Sequence, residues 1–342
     1  MKKILFASTA LTAMAAADFA AADIANMAFS GYGRFGLKYD GGAEGDDKET
    51  FLTSRFRLNI DANAETDGGV AFSARVRLQA DANQDGTANQ GNGFSGGVDQ
   101  NTNTVSGTTD RNGAQLSGAR FTTQYEGLRV DVGNISGVID NLPNYYGNEP
   151  GLTAFTGQYA AVDFALDSFS STSAGVNGIF AQYAFGDFAV SASYSPEETG
   201  AGEQWGVSGA WANDAYAVAL FYSQNEPEGT GGLGETKIYG ATAAATFGAF
   251  NGTLLVGKED ADNDDGAFDT FWGLSAAYEL GTATDLIFSY ADGSGDDDTQ
   301  AFGLGVVQDL GGGVALKGGV ASVKPGGDSS DTVADVGVIF NF

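Results

Sequence analysis

The residues able to do chemistry in this chain are few and unevenly placed. Of its eight arginines, four form two Arg-x-Arg pairs, Arg55/Arg57 and Arg75/Arg77, on either side of the polar turn 65–69. Arg34 and Lys38 precede them and Arg120 follows. A guanidinium stays charged at any ordinary pH, so such a row transfers no protons. It supplies fixed positive charge that attracts anions and orients dipoles. The placement stands out in a protein whose formal net charge is −28. Histidine and cysteine are both absent. Their absence removes Ser-His and Cys-His nucleophiles, imidazole and thiolate metal ligands, and disulfides. The acidic balance also argues against nucleic acid, whose phosphates need a basic footprint.

Three local motifs are weaker. Residues 31–36, GYGRFG, fit the dinucleotide pattern G-x-G-x-x-G but lie inside an alternating segment with no helix after them. Residues 93–97, GFSGG, fit G-x-S-x-G without any histidine to activate Ser95. Asp81, Asn83, Asp85 and Gly86 fit the start of a calcium loop. The twelfth position is Asn92 instead of glutamate, so the expectation is at most a loosely bound calcium ion, with a solvated turn as the alternative. No other cofactor is expected.

The elements that carry the arginines are strands. Leu52, Phe56, Leu58 and Ile60 alternate with Thr53, Arg55, Arg57, Asn59 and Asp61; after the turn, Val70, Phe72, Val76 and Leu78 alternate with Ser73, Arg75, Arg77 and Gln79. Period two puts the apolar side chains on one face and the arginines on the other. The same alternation recurs along the chain and predicts about sixteen strands, each near the ~9–11 residues that cross a bilayer obliquely. It is faintest over 236–247 and 250–257. Connections alternate between short, such as 126–127, 186–187 and 311–313, and long, such as 82–114, 134–174 and 258–269. That rhythm suits an up-and-down barrel. The carboxylates of DADNDDG (260–266) are expected to bind divalent ions loosely or to keep the external rim hydrophilic.

A soluble β-sandwich also alternates, with its polar face in water. The polar faces here carry Ser, Thr, Gly and Ala more than Lys and Glu. The chain also opens with Lys2 and Lys3, an apolar run from Ile4 to Ala17 and a small-residue end. Residues 1–22 therefore read as a secretory signal peptide, cut after Ala22 or alternatively after Ala17, and 23–342 as one barrel domain. A barrel in lipid turns its apolar face outward and pairs every strand, as a bilayer demands of backbone groups.

The last residues, DTVADVGVIFNF, place Val336, Val338, Phe340 and Phe342 on one face. Together with FSGYGRFGLKYD (29–40) and GLRVDVGN (127–134), this ending resembles the general porins of Gram-negative outer membranes. It is most like the branch from purple photosynthetic bacteria and their relatives. The resemblance implies an all-β, 16-stranded antiparallel transmembrane barrel, a homotrimer, and a third external loop folded into the lumen, here about 134–174. It also implies a C-terminal assembly signal, supplied by Phe340 and Phe342. Many relatives carry Pro-Glu-Phe-Gly-Gly in that loop. Here LPNYYG (142–147) keeps Pro143 and has Asn144 in place of the acid. The acidic side of the pore then falls to Asp140, Glu149, Asp163 or Asp167.

The expected function is passive diffusion of small hydrophilic solutes and ions across the outer membrane. They would pass a constriction with arginines on one wall and carboxylates on the other, and acidic loops would favour cations mildly. A substrate-selective porin and a structural or adhesive barrel are the alternatives. A barrel hydrolase is disfavoured by the missing histidine.

Overall fold

The computed structural model describes residues 26–43, 49–83, 114–196, 202–226, 234–262, 269–294, 299–324 and 329–342. The signal-peptide reading of 1–22, and Asp85 with Gly86 of the calcium-like motif, lie outside the described residues. The described elements are all strands: β1 Asn26–Asp40, β2 Thr50–Glu65, β3 Ala71–Asn83, β4 in two segments, Gln115–Leu116 and Arg120–Tyr125, and β5 Leu128–Asn134. After the long loop come β6 Asn177–Phe185, β7 Phe188–Ser195, β8 Glu203–Ala212, β9 Tyr216–Glu226, β10 Thr236–Phe247 and β11 Phe250–Ala261. The last five are β12 Thr270–Glu279, β13 Thr284–Gly293, β14 Gln300–Gly311, β15 Val314–Lys324 and β16 Asp331–Asn341. Each pairs antiparallel with its sequence neighbours, and β16 closes the sheet on β1, from Tyr32↔Asn341 to Asp40↔Val333. The result is a closed sixteen-stranded barrel.

Closure is completed by the C-terminus. The Phe342 carbonyl accepts from Gly31 N at 2.8 Å, and its ring stacks on Phe56 with centroids 5.6 Å apart. At the same end of the barrel, tight turns return the chain, and Asn341 N donates to the Gly313 carbonyl at 2.9 Å. Gly311, Gly312 and Gly313 all have positive φ, a conformation that only glycine adopts at three successive positions without strain. Tyr183, Phe185 and Phe188 stack beside one such turn, while Trp205–Tyr222 and Trp272–Tyr290 pair near the other rim. These are the two aromatic girdles of a membrane barrel.

The apolar side of the strands points outward. Phe29, Phe121 and Leu220 stand 61%, 58% and 63% exposed on the isolated barrel. Leu220 sits near the middle of β9, and Leu220→Arg is expected to lower stability in lipid by about 2–4 kcal/mol. Urea unfolding from phospholipid vesicles measures this; an unchanged midpoint would mean that the position does not face acyl chains.

The weak pattern of β10 and β11 has a physical cause beyond their alanines. Ile238 and Leu255 point into the barrel and are fully buried there, as is Phe180, and Phe221 and Phe271 nearby are buried too. Over this arc both faces are apolar, one toward lipid and one toward the loop that fills the lumen. β11 also runs on to Ala261, so Lys258, Glu259 and Asp260 are strand residues and not part of the external loop expected at 258–269.

Candidate functional site

Residues 135–176, between β5 and β6, form the third long connection and fold into the lumen. Ile135, Val138, Ile139, Leu142, Tyr145, Ala161 and Phe164 pack on the inward apolar arc of β6 and β9–β13. Wall glycines allow the close approach: at Gly273 a Cβ would overlap the Gln158 carbonyl. Near its end the loop inserts into the break in β4, where Gly118 N bonds Ser173 O at 2.8 Å and Asn134 Nδ2 bonds both Gly118 O and Ser170 O. Two wall carboxylates bind loop backbone directly. Glu259 accepts from Asp163 N and Phe164 N at 3.1 and 2.9 Å, and Asp335 accepts from Leu152 N and Thr153 N at 2.6 and 2.7 Å. The loop thus spans the lumen from β5 to β16, and Leu152 reaches Arg34, whose Nη1 donates to its carbonyl at 3.2 Å.

Opposite the packed arc stands the arginine wall. The mirror-image sequence about the β2–β3 turn becomes a four-rung ladder by register: Arg55↔Asp81, Arg57↔Gln79, Asn59↔Arg77 and Asp61↔Arg75. Each rung is a side-chain hydrogen bond. Arg55 donates to Asp81, Arg57 to Gln79 at 2.6 Å, Arg77 to Asn59 at 2.8 Å, and Arg75 to both oxygens of Asp61 at 2.6 and 2.9 Å. The outer rungs are neutral ion pairs, and the inner ones pair arginine with an amide. Among the described residues, Arg57 and Arg77 have no carboxylate within ion-pair distance, so their charge stays available to the lumen. Arg77 also reaches Ser171 of the loop at 2.7 Å and lies over the Phe169 ring. Arg120 lies 4.0 Å from Asp131, and Lys38 pairs with Asp40 on its own strand at 3.5 Å.

The acidic candidates separate. Asp140 shares a cavity with Arg75, Arg120 and Arg129, and Tyr146 donates a hydrogen bond to it. Glu149 accepts from Tyr159. Burial pushes its carboxyl above the usual carboxylate range, while Tyr159, Lys317 and Arg34 pull the other way. Asp163 and Asp167 stand elsewhere, against the packed arc. The backbone of Asp163 is held by Glu259, and Asp167 accepts from Ser195 of β7. Asp81 accepts from Arg55 and from Gln79 Nε2, the latter at 2.6 Å. Asn83 ends β3.

Several residues of the site escaped the sequence reading. Arg129 and Lys317 are further lumen cations; their parity within β5 and β15 was the available signal. Parity also turns Asp335 inward, but nothing local shows that it and Glu259 hold the loop, because their partners are backbone groups 183 and 96 residues distant.

The comparisons with known proteins agree with the closed barrel. Residues 7–328 match the Gram-negative porin family. The chain belongs to that family. The porin of Fuscovulum blasticum is 32% identical over 330 residues, covering 92% of this chain and all of the relative. The porin of Rhodobacter capsulatus is 27% identical over 338 residues, covering 92% of this chain and 99% of its own. Among solved structures, a triple mutant of Rhodopseudomonas blastica porin superposes with a TM-score of 0.72 at 27% identity, covering 93% of this chain and 100% of its own. Another match, with a TM-score of 0.71, is titled for the asymmetric conductivity of engineered proteins. This porin is a multi-pass β-barrel of the Gram-negative outer membrane and a channel for passive diffusion, not an enzyme.

Proposed function

We propose that solutes cross this porin through a charge-polarised constriction, between the arginine wall of β1–β5 and the acidic side of the in-folded loop. The observation that carries the reading is the rung pattern. Arg57 and Arg77 face amides and keep their charge, whereas Asp140 on the loop has no cation within ion-pair distance among the described residues. A field across the passage orders water and orients dipolar solutes, so small hydrophilic molecules pass and apolar ones are disfavoured. The acid-rich long connections enrich cations at the mouth, which leaves a mild cation preference despite the arginines. The working form is a homotrimer in outer-membrane lipid, with Phe340 and Phe342 as its assembly signal.

Planar-bilayer recording across a KCl gradient tests the whole reading. The reversal potential should favour potassium modestly, and current should close in three equal steps. Clear anion selectivity would overturn the charge assignment, and single-step closure would overturn the trimer.

A further inference from the structure

On the tight-turn side of the loop lies a cavity of about 650 Å³, walled by Arg75, Arg120 and Arg129 from the barrel and by Asp140, Pro143 and Tyr146 from the loop. Its charges are sorted by side. On the barrel, Asp61 is held in two bonds by Arg75, and Asp131 is bound by Arg129. Arg120 is less well satisfied: it lies 4.0 Å from Asp131, and its buried Nε has no hydrogen-bond partner. On the loop, Asp140 accepts from Tyr146 and has no cation within ion-pair distance among the described residues. Tyr146 itself is 42% exposed, yet its ring is fixed edge-on by Tyr145 and Tyr159, each with centroids 5.0 Å away. The chamber therefore presents the Arg120 guanidinium, which lies over the Phe169 ring and 4.0 Å from Asp131, on one side and a carboxylate beside a rigid aromatic face on the other.

We propose that this chamber is a binding station for zwitterionic α-amino acids, aromatic ones above all. The solute carboxylate meets Arg120, its ammonium meets Asp140 and the Tyr146 face, and its side chain lies along Pro143 and Tyr146. The charge sorting selects this class. A simple anion is repelled by Asp140, a simple cation by Arg120, since Arg75 and Arg129 are each neutralised by a carboxylate, and a neutral sugar gains nothing from separated charges. A cavity of this volume leaves water beside a bound amino acid, so the station retains solute without plugging the path. Weak binding of that kind speeds passage of a scarce solute through a channel. The inference rests on the polarised-lumen reading and narrows it to one solute class.

Two measurements on the full-length porin separate the two claims. Saturation-transfer NMR on detergent-solubilised protein compares L-phenylalanine with N-acetylphenylalanine, phenylalaninamide and glucose. Planar-bilayer recording in KCl follows current as the same solutes are added. Phenylalanine should saturate and lower the current to a plateau. The two blocked analogues should bind about tenfold more weakly, the effect of one charge-assisted hydrogen bond. Asp140→Asn and Arg120→Gln should weaken phenylalanine by a similar factor, and Tyr146→Leu should bring phenylalanine down to the level of glycine, titrated alongside it. Equal binding of phenylalanine and N-acetylphenylalanine would overturn the proposal in favour of a plain anion site. Binding no tighter than glucose would overturn it outright. KCl current without saturable phenylalanine binding removes the station and leaves the channel reading standing; saturable binding with an unpolarised reversal potential does the reverse.

Discussion

A porin with alanine at both Glu259 and Asp335 is expected to pass severalfold more current per channel, with noisier open levels, while the barrel still forms. The two carboxylates hold the loop at widely spaced points of the wall, β11 and β16, and both are buried, at 4% and 6% exposure. Between them they accept from four loop N–H groups and the Thr153 hydroxyl. A buried donor that loses its partner costs about 1–3 kcal/mol. Lumen water recovers part of that, so the loss lies toward the low end for each group. Summed over the two attachments, even a few kcal/mol changes the ratio of docked to undocked loop by orders of magnitude, at about 1.4 kcal/mol per tenfold. The apolar packing of Ile135, Val138, Ile139 and Phe164 remains in the double variant. Release should therefore be confined to the segment around 150–153, which that cluster does not hold and which faces Arg34. Single-channel conductance in KCl and the size limit for neutral sugars in liposome swelling measure the effect. An unchanged conductance and size limit would mean that the apolar contacts alone fix the loop.

The residues in that prediction mark the boundary of what the sequence makes legible. Alternation over Leu52–Ile60 and Val70–Leu78 is a local property of the strand, so the strand, its lipid face and the side on which Arg55 and Arg77 lie can all be read directly. Register follows from the hairpin too. Once the turn at 65–69 is fixed, Arg57 must oppose Gln79 and Arg75 must oppose Asp61. What lies against the inner face is not local. Phe221, Ile238 and Phe271 blur the alternation because a loop distant in sequence covers them. Glycine is ambiguous for the same reason. The 52 glycines suggest turns, and Gly311–Gly313 is one, yet Gly273 sits mid-strand to admit the Gln158 carbonyl. The four acidic candidates of the loop illustrate the limit. Composition and resemblance put Asp140, Glu149, Asp163 and Asp167 on one segment, but only the fold of that segment sends the first to the arginine side and the last two to the packed arc.

The ladder also makes the arginines unequal, and this leads to a sharp expectation for selectivity. Arg57→Ser with Arg77→Ser should shift the channel strongly toward cations, whereas Arg55→Ser with Asp81→Ser should leave selectivity nearly unchanged. The first pair removes two charges whose partners, Gln79 and Asn59, are neutral. The second removes an ion pair whose charges already cancel at any distance beyond the pair itself. Two unit charges a few ångströms from a permeating ion matter even in water, where the interaction is about 1 kcal/mol at 4 Å. Each therefore alters local ion occupancy severalfold, an effect that fades as salt shortens the screening length toward ~3 Å at 1 M. The arrangement of measurements follows from that: reversal potentials at 0.1 M and at 1 M KCl for both double variants and the parent porin. A large cation shift for Arg57/Arg77 at low salt that shrinks at high salt, beside a small one for Arg55/Asp81, is the expected pattern. Equal shifts in the two variants would mean that the amide rungs do not leave their arginines exposed to the ion path, and that the polarity of the lumen is set elsewhere along its wall.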